Sequence, residues 1–474
     1  MNQNNSLDDL EDNIVRDFSY INYPPDNWVK PRQHASGENV LDVAIIGAGA
    51  CGMAAAFGLI SQGVTKLALF DRSERGQEGP WITTARMKTL RSPKHLTGPN
   101  MGLPNLTFRA WFEAQWGETQ WEELDKIPKE MWMAYLVWYR KILDLPVHNQ
   151  MTLTGIEPEG DLFRLIFSSV TGEITYFARH VILATGRAAS GGISLPDVAA
   201  TLPTGFFAHT EDAIDFPALQ GKRIVVIGGA ASAADNAATA LEAGATGVHM
   251  LVRAPEVPRL NKFKSIVYPG FMKGFVSLSL EERWRFLKSG FDARVAAPRS
   301  TMLRLKEFDN FKLHTNAGIH RMVVENDQVM IESEVGEFCA DYVIFGTGYA
   351  MNLKDQPEII PFVGDILLWK DCFTPKDGEE DENLGNYPYL GSGFEFLPKE
   401  EGAAPYLSRL HLFNAAATLT HAPVSSDIPG VNTGVDRLVD HIVKALFCAS
   451  SEQHLNDFYA YEEPELLGDE WRQD

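Results

Sequence analysis

Cysteine is scarce in this chain. Its 474 residues include four, Cys51, Cys339, Cys372 and Cys448, with no Cys-x-x-Cys pair and no zinc-ligand spacing among them. That excludes a disulfide framework and a relay through vicinal thiols, and it fits a reducing, cytoplasmic setting. Long apolar runs are missing too: nothing approaches the roughly 20 residues that span a bilayer. The polar start, Met1-Asn2-Gln3-Asn4-Asn5 running into Asp8, Asp9, Glu11 and Asp12, has no basic region followed by an apolar one. Positive charge is in deficit, with 42 Lys and Arg against 63 Asp and Glu and a net charge of -21. Such a surface repels phosphate backbones and anionic membranes, so neither nucleic acid nor membrane is an expected partner. What remains, 45% hydrophobic and 22% charged residues, is the composition of a globular protein long enough for two or three full cores.

Against that background one pattern occurs twice: an apolar strand, a glycine-rich turn, a small-residue helix, and a second strand with a telling residue at its end. The first copy follows strand 41–46 with Gly47-Ala48-Gly49-Ala50-Cys51-Gly52. A phosphate-binding turn needs glycine at the sharp bend, where the backbone meets the pyrophosphate, and where helix packs on strand. Gly47, Gly49 and Gly52 stand at those places. The helix behind them, from about Ala50 to Gly63, presents free N–H groups to an anion. The next strand, 66–70, ends at Asp71, placed to accept from ribose hydroxyls.

The second copy follows strand 223–227 with Gly228-Gly229-Ala230-Ala231-Ser232-Ala233. Gly228 keeps the tight turn, and Ala233 is an accepted third residue. Ala230 departs from the pattern and holds the phosphates slightly farther out. Ser232 joins the cofactor-binding candidates. Strand 247–252 ends at Arg253, where an arginine favours the 2′-phosphate of NADP.

These units predict an α/β fold with two Rossmann-like dinucleotide-binding domains. The first occupies 38–205 and 336–474, and the second is inserted at 206–335. Residues 1–37 read as an extension kept from regular structure by Pro24-Pro25 and Pro31. The stripe Trp132, Tyr135, Leu136, Tyr139, Leu143 predicts a core helix, and Trp81 upstream is placed at the cofactor. Strands 162–168 and 174–177 predict a hairpin, and a separate strand 181–183 ends in Ala184-Thr185-Gly186. Ser279 and Glu282 predict a helix-capping box. Residues 259–275 read as a mobile loop, and 371–405 as an acidic surface excursion. Strand 341–345 runs into Gly346-Thr347-Gly348-Tyr349, and a helix follows from about Gly430 to Phe447.

This order of motifs resembles the two-dinucleotide-binding-domain flavoproteins over about 40–470. Within them it is most similar to the class B, single-component FAD/NADPH flavin-dependent monooxygenases of flavin-containing, Baeyer–Villiger and N-hydroxylating type. Residues 341–349 look like the Asp-x3-hydrophobic-x-Thr-Gly-Tyr motif of N-hydroxylating members, and residues 88–94 look more like that group as well. The Baeyer–Villiger fingerprint is partial: Gly205 and His209 are present, but Pro203 and Ala213 replace its aromatics. The resemblance implies FAD on the first turn, with Thr185, Gly186, Thr347 and Gly348 at the crossings between domains, and NADPH on the second turn. The last helix points its N-terminus at the flavin. It further implies that reduced flavin traps O2 as a C4a-(hydro)peroxide, shielded from water by NADP+, and delivers one oxygen atom to a small organic substrate at nitrogen, sulfur or a carbonyl. His209 and Arg259 are the catalytic candidates. Two alternatives stay open, an NADPH oxidase or reductase of the same fold and a nucleotide-sensing protein without turnover. Homo-oligomerisation is open as well.

Overall fold

The computed structural model describes residues 6–187 and 191–471. Its first sheet is built on β1 (Val40–Ile46), buried nearly end to end, as a parallel strand covered on both faces must be. Beside it lie β2 (Leu67–Phe70), β3 (Val147–His148), β4 (Met151–Glu159), β5 (Leu162–Ser169) and β6 (Gly172–Leu183), in the spatial order β3-β2-β1-β6-β5-β4. The stretches 174–177 and 181–183, expected as two strands, are one. The start of β6 pairs antiparallel with β5, and its end runs parallel to β1. The helix Ala50–Ile60 follows β1, and Val435 of the helix Val431–Cys448 packs so closely on it that a Cβ at Gly58 would lie 2.7 Å from the valine.

The chain leaves this sheet through β7 (Gly192–Ile193) and enters a second. There β8 (Phe207–His209), β9 (Arg223–Ile227), β10 (Gly247–Leu251) and β11 (Phe311–His314) are followed by a meander of β12 (Ile319–Glu325), β13 (Gln328–Ser333) and β14 (Gly336–Ala340). Strand β15 (Tyr342–Phe345) completes the sheet, which is parallel throughout in the order β11-β10-β9-β15-β8. Alternation along β9 explains its two cores. Ile224 and Val226 face the alanine-rich helix Ala231–Glu242, while Val225 and Ile227 face the meander. On the return, β16 (Tyr349–Ala350) pairs antiparallel with β7, stitching the two crossings together, and β17 (Leu410–Leu412) rejoins the first sheet beside β6.

Several expectations are corrected. The N-terminal extension carries a helix, Leu7–Tyr20, with a Ser6–Asp9 capping box. The prolines act only beyond it, and Leu10 and Ile14 bury one face in the first core. Residues 259–275 are not a bare loop: they include the helix Pro269–Gly274 and bury Phe271, Met272 and Phe275. These side chains and Trp284 join the first core, although they lie between strands of the second sheet. The excursion 371–405 is not all surface. Leu384, Leu390, Phe394 and Phe396 are core residues, because five of its acids cluster at 377–382 and these apolar residues lie beyond them. The second sheet ends with Phe345, ten residues past the expected boundary at 335.

Candidate active site

The first glycine turn follows directly from its neighbours. Gly47 has φ +101, and a Cβ there would lie 2.4 Å from the Ala184 carbonyl oxygen. A Cβ at Gly52 would lie 1.9 Å from the Gly47 carbonyl oxygen, so the helix could not start so close to the strand. At Gly49 a Cβ would meet nothing within 4 Å. The backbone here opens onto free space at the N-terminus of the helix Ala50–Ile60, which has no side-chain cap. Two glycines are thus demanded by packing, and the middle one faces the room a pyrophosphate needs. Asp71, directly after β2, is buried against this turn. Its carboxylate accepts from the Ala48 N–H and the Ser73 N–H, both at 2.8 Å.

The second turn repeats the frame. Gly228 has φ +130, and its N–H donates to Leu251 O as that of Gly47 donates to Phe70 O. Ala230 caps the helix Ala231–Glu242 with φ -97, close to the φ -71 of Gly49, so alanine is unstrained there. Ala233 fits because Gly346 makes room: a Cβ on Gly346 would lie 2.5 Å from that of Ala233. The register also refines the arginine's position. Asp71 N donates to His148 O, and its counterpart, donating to His314 O, is Val252 N. The carboxylate position is therefore held by buried Val252, and Arg253 lies one residue beyond, exposed and without a hydrogen-bond or ion-pair partner among the described residues.

Both Thr-Gly segments sit beside the turns. Thr185 Oγ1 accepts from Asn414 Nδ2 at 3.1 Å, and Thr347 Oγ1 donates to Ser194 O across the β7–β16 crossing. Gly186 and Gly348 both have positive φ, +81 and +83. His209 ends β8 at the same crossing, its ring 6.2 Å from that of Tyr349, whose hydroxyl donates to Glu211. Burial lowers the His209 pKa, against the opposing pull of Glu211 and Asp212, so the ring is neutral. Its Nδ1 accepts from the Glu211 N–H, leaving Nε2 buried without a well-formed partner among the described residues. Arg259 lies apart, its side chain 81% exposed and, among the described residues, paired with Glu256 alone. Trp81 packs edge-on against Trp132, and Ser232 occupies the helix position that Cys51 holds in the first unit.

Residues not singled out from the sequence lie beside these segments. Arg187, next to Gly186, pairs at 3.2 Å with Asp427, just ahead of the N-terminus of the helix Val431–Cys448. Burial, and after it the electrostatic influence of Asp427, pushes the Cys51 thiol up to about 12, so it stays protonated. No other described cysteine lies within bonding reach, and all four are free. Nothing local marks Arg187 or Asp427, since an isolated Arg and an isolated Asp 240 residues apart carry no motif.

Comparison with known proteins adds the following. Residues 44–296 match the family model described as pyridine nucleotide-disulphide oxidoreductase. The chain is 36% identical over 471 residues to an FAD-dependent urate hydroxylase of Xanthomonas campestris pv. campestris, covering 99% of this chain and 98% of that protein. Among solved structures, ornithine hydroxylase from Pseudomonas aeruginosa in its reduced form superposes with a TM-score of 0.65 at 16% identity, over 88% of this chain and 100% of that one. The ornithine N-hydroxylase of Kutzneria sp. 744, solved with reduced FAD, NADP+ and L-ornithine, gives 0.64 at 16% identity, over 86% and 99%.

Proposed function

The chain belongs to the pyridine nucleotide-disulphide oxidoreductase family, and from that membership we propose how its two turns divide the work. It is an FAD-dependent monooxygenase of the class B type, using FAD and NADP. In our reading FAD lies on the first turn. The open space at Gly49 takes its pyrophosphate, and the N–H groups opening the helix Ala50–Ile60 donate to it. Asp71 uses two acceptor sites on the backbone and keeps the rest of its roughly four for ribose hydroxyls. NADPH lies on the second turn, with Arg253 free to fork onto the 2′-phosphate. When bound, the flavin supplies hydride acceptance and oxygen activation. The protein orients the nicotinamide, excludes water, and offers neutral His209 at the crossing as a hydrogen-bonding group that carries no charge into the site.

The family name carries a disulphide, but this site lacks a dithiol. Cys51 is protonated and unpaired, which supports passage of electrons to oxygen. For the substrate, we propose a urate-type oxidised heterocycle. The observation that carries this is the 36% identity across essentially the whole of both chains. The test is NADPH consumption and ^18O incorporation from O2 with urate, set beside ornithine, lysine and cadaverine. Urate-dependent turnover with one labelled oxygen in the product is expected. Turnover with an amine and none with urate would overturn the substrate assignment while leaving the monooxygenase intact.

A further inference from the structure

Residues 83–94 run irregularly from the first unit across to the second. On the first side they are anchored by the bond from Leu90 N to Ile127 O at 2.8 Å and by Lys129 Nζ donating to Ala85 O at 2.7 Å. Toward the second unit they extend three cations. Arg86 donates to Asp212 O at 3.3 Å and lies over Phe216, Lys88 reaches Glu242 at 2.8 Å, and Arg91 NH2 donates to Asp235 Oδ2 at 3.0 Å. Asp235 and Glu242 are seven residues apart, two turns along one face of the helix Ala231–Glu242. Asp235 is 2% exposed. Its other oxygen accepts from Thr301 Oγ1 at 2.7 Å, and Arg304, which grips Glu242 with two bonds, stands 4.0 Å from it.

A buried carboxylate is a costly way to join two units, since a packed apolar pair of similar volume holds at least as well. What the ion pair adds is a fixed distance and direction. The helix it grips is the one whose N-terminus forms the coenzyme turn, and Asp235 sits barely more than one turn from that end. Hydride transfer needs donor and acceptor within about 3–3.5 Å, and a misplacement of about 1 Å can cost on the order of 100-fold in rate.

We propose that the Arg91–Asp235 pair is a positioning strap for the hydride-transfer step, holding the coenzyme-binding helix at a set distance from the flavin-binding unit. In this reading Arg91 and Asp235 are positioning residues, bound to each other across the two units. They act through the helix. The proposal rests on the placement of NADPH on the second turn.

The test is anaerobic stopped-flow reduction of the FAD-loaded full chain by NADPH, in Asp235→Asn, Arg91→Gln, Arg91→Lys and the double variant Arg91→Gln/Asp235→Asn. The limiting reduction rate at saturating NADPH should fall about 10- to 100-fold in Asp235→Asn and in Arg91→Gln. The NADPH concentration giving half that rate should move little, because the turn and Arg253 are untouched. Arg91→Lys should recover part of the rate by restoring the charge, and the double variant should be no slower than the slower single one. A limiting rate within about twofold of the parent in both single variants, with FAD content retained, would overturn the proposal. So would a rate loss that only tracks lost FAD. If Asp235→Asn does not fold, Arg91→Gln decides alone, since that side chain is partly exposed. A parent flavin that NADPH fails to reduce would sink the coenzyme reading and this inference with it; a reducible parent with unaffected variants sinks the strap alone.

Discussion

The two glycine turns share one backbone frame and fill it differently. In the first, the residue after β2 is Asp71, and its carboxylate takes the N–H of the turn's second residue, Ala48. In the second, the corresponding residue is Val252, and its methyl groups lie where a Cβ on Gly229 would come within 2.8 Å. The small residue at the helix start differs in the same way. Gly52 is forced by the Gly47 carbonyl, whereas Ala233 is permitted because its neighbour across the gap is Gly346. Glycine in such a motif therefore answers to the particular atom opposite it. A motif that looks degraded can be intact once the compensating residue, here over a hundred positions away, is counted.

The sharpest way to break the comparison is to exchange the helix-start residues. Gly52→Ala places a methyl group 1.9 Å from a backbone oxygen that cannot retreat, so the purified protein should lose its flavin absorbance and fold poorly. The mirror change, Ala233→Gly, should cost only about 1 kcal/mol of helix propensity in a melting experiment, with flavin retained.

Acid should separate the units next. The first unit buries His411 and His421, whose pKa values burial lowers to about 3, together with His180, lowered further by the adjacent His411. In the second unit His249 and His314 are also lowered by burial, but they are only partly covered. A folded-state pKa below the unfolded value means that the unfolded chain binds more protons between pH 3 and 6.5. Stability is therefore full above about pH 6.5 and falls as pH drops, by about 1.4 kcal/mol per pH unit for each fully buried histidine. Chemical denaturation followed between pH 7 and 4.5 should show this slope, and His411→Gln should flatten it. A slope that does not change in that variant would remove His411 from the account.

A more local effect falls on coenzyme choice. Arg253→Ala should raise the KM for NADPH about 10- to 100-fold, the worth of a charged hydrogen bond or two, and leave NADH nearly unchanged. Equal changes for both coenzymes would mean that Arg253 does not meet the 2′-phosphate and would leave the two turns less distinct than their sequences suggest.

The geometry of the candidate site's turns was legible in the sequence because its determinants are local. A sharp bend, a close helix start and a strand end each leave a residue at a set spacing, and Gly47, Gly49, Gly52, Asp71 and Gly228 were readable for that reason. Arg253 falls one residue past the register counterpart of Asp71, since strand ends are known only to that precision until the register is seen. The N-terminal helix was less legible: Leu7, Leu10, Ile14 and Phe18 have helical spacing, but the prolines at 24–31 argue against regular structure beside it. The acidic run at 377–382 likewise hid the core residues around it. Arg187 with Asp427, and Arg91 with Asp235, were not legible at all.

By itself the sequence determined two Rossmann-like glycine turns and the absence of a Cys-x-x-Cys pair, because these depend on turn sterics and residue types at short range. Only the tertiary structure decided that residues 263–287 join the other unit's core, that Gly346 licenses Ala233, and that an irregular loop is tied by the half-exposed Arg91 to buried Asp235 of the helix Ala231–Glu242. Each of those is a contact between residues far apart in the chain. The energy of such a contact depends on what lies opposite in space, and spacing along the chain does not record that.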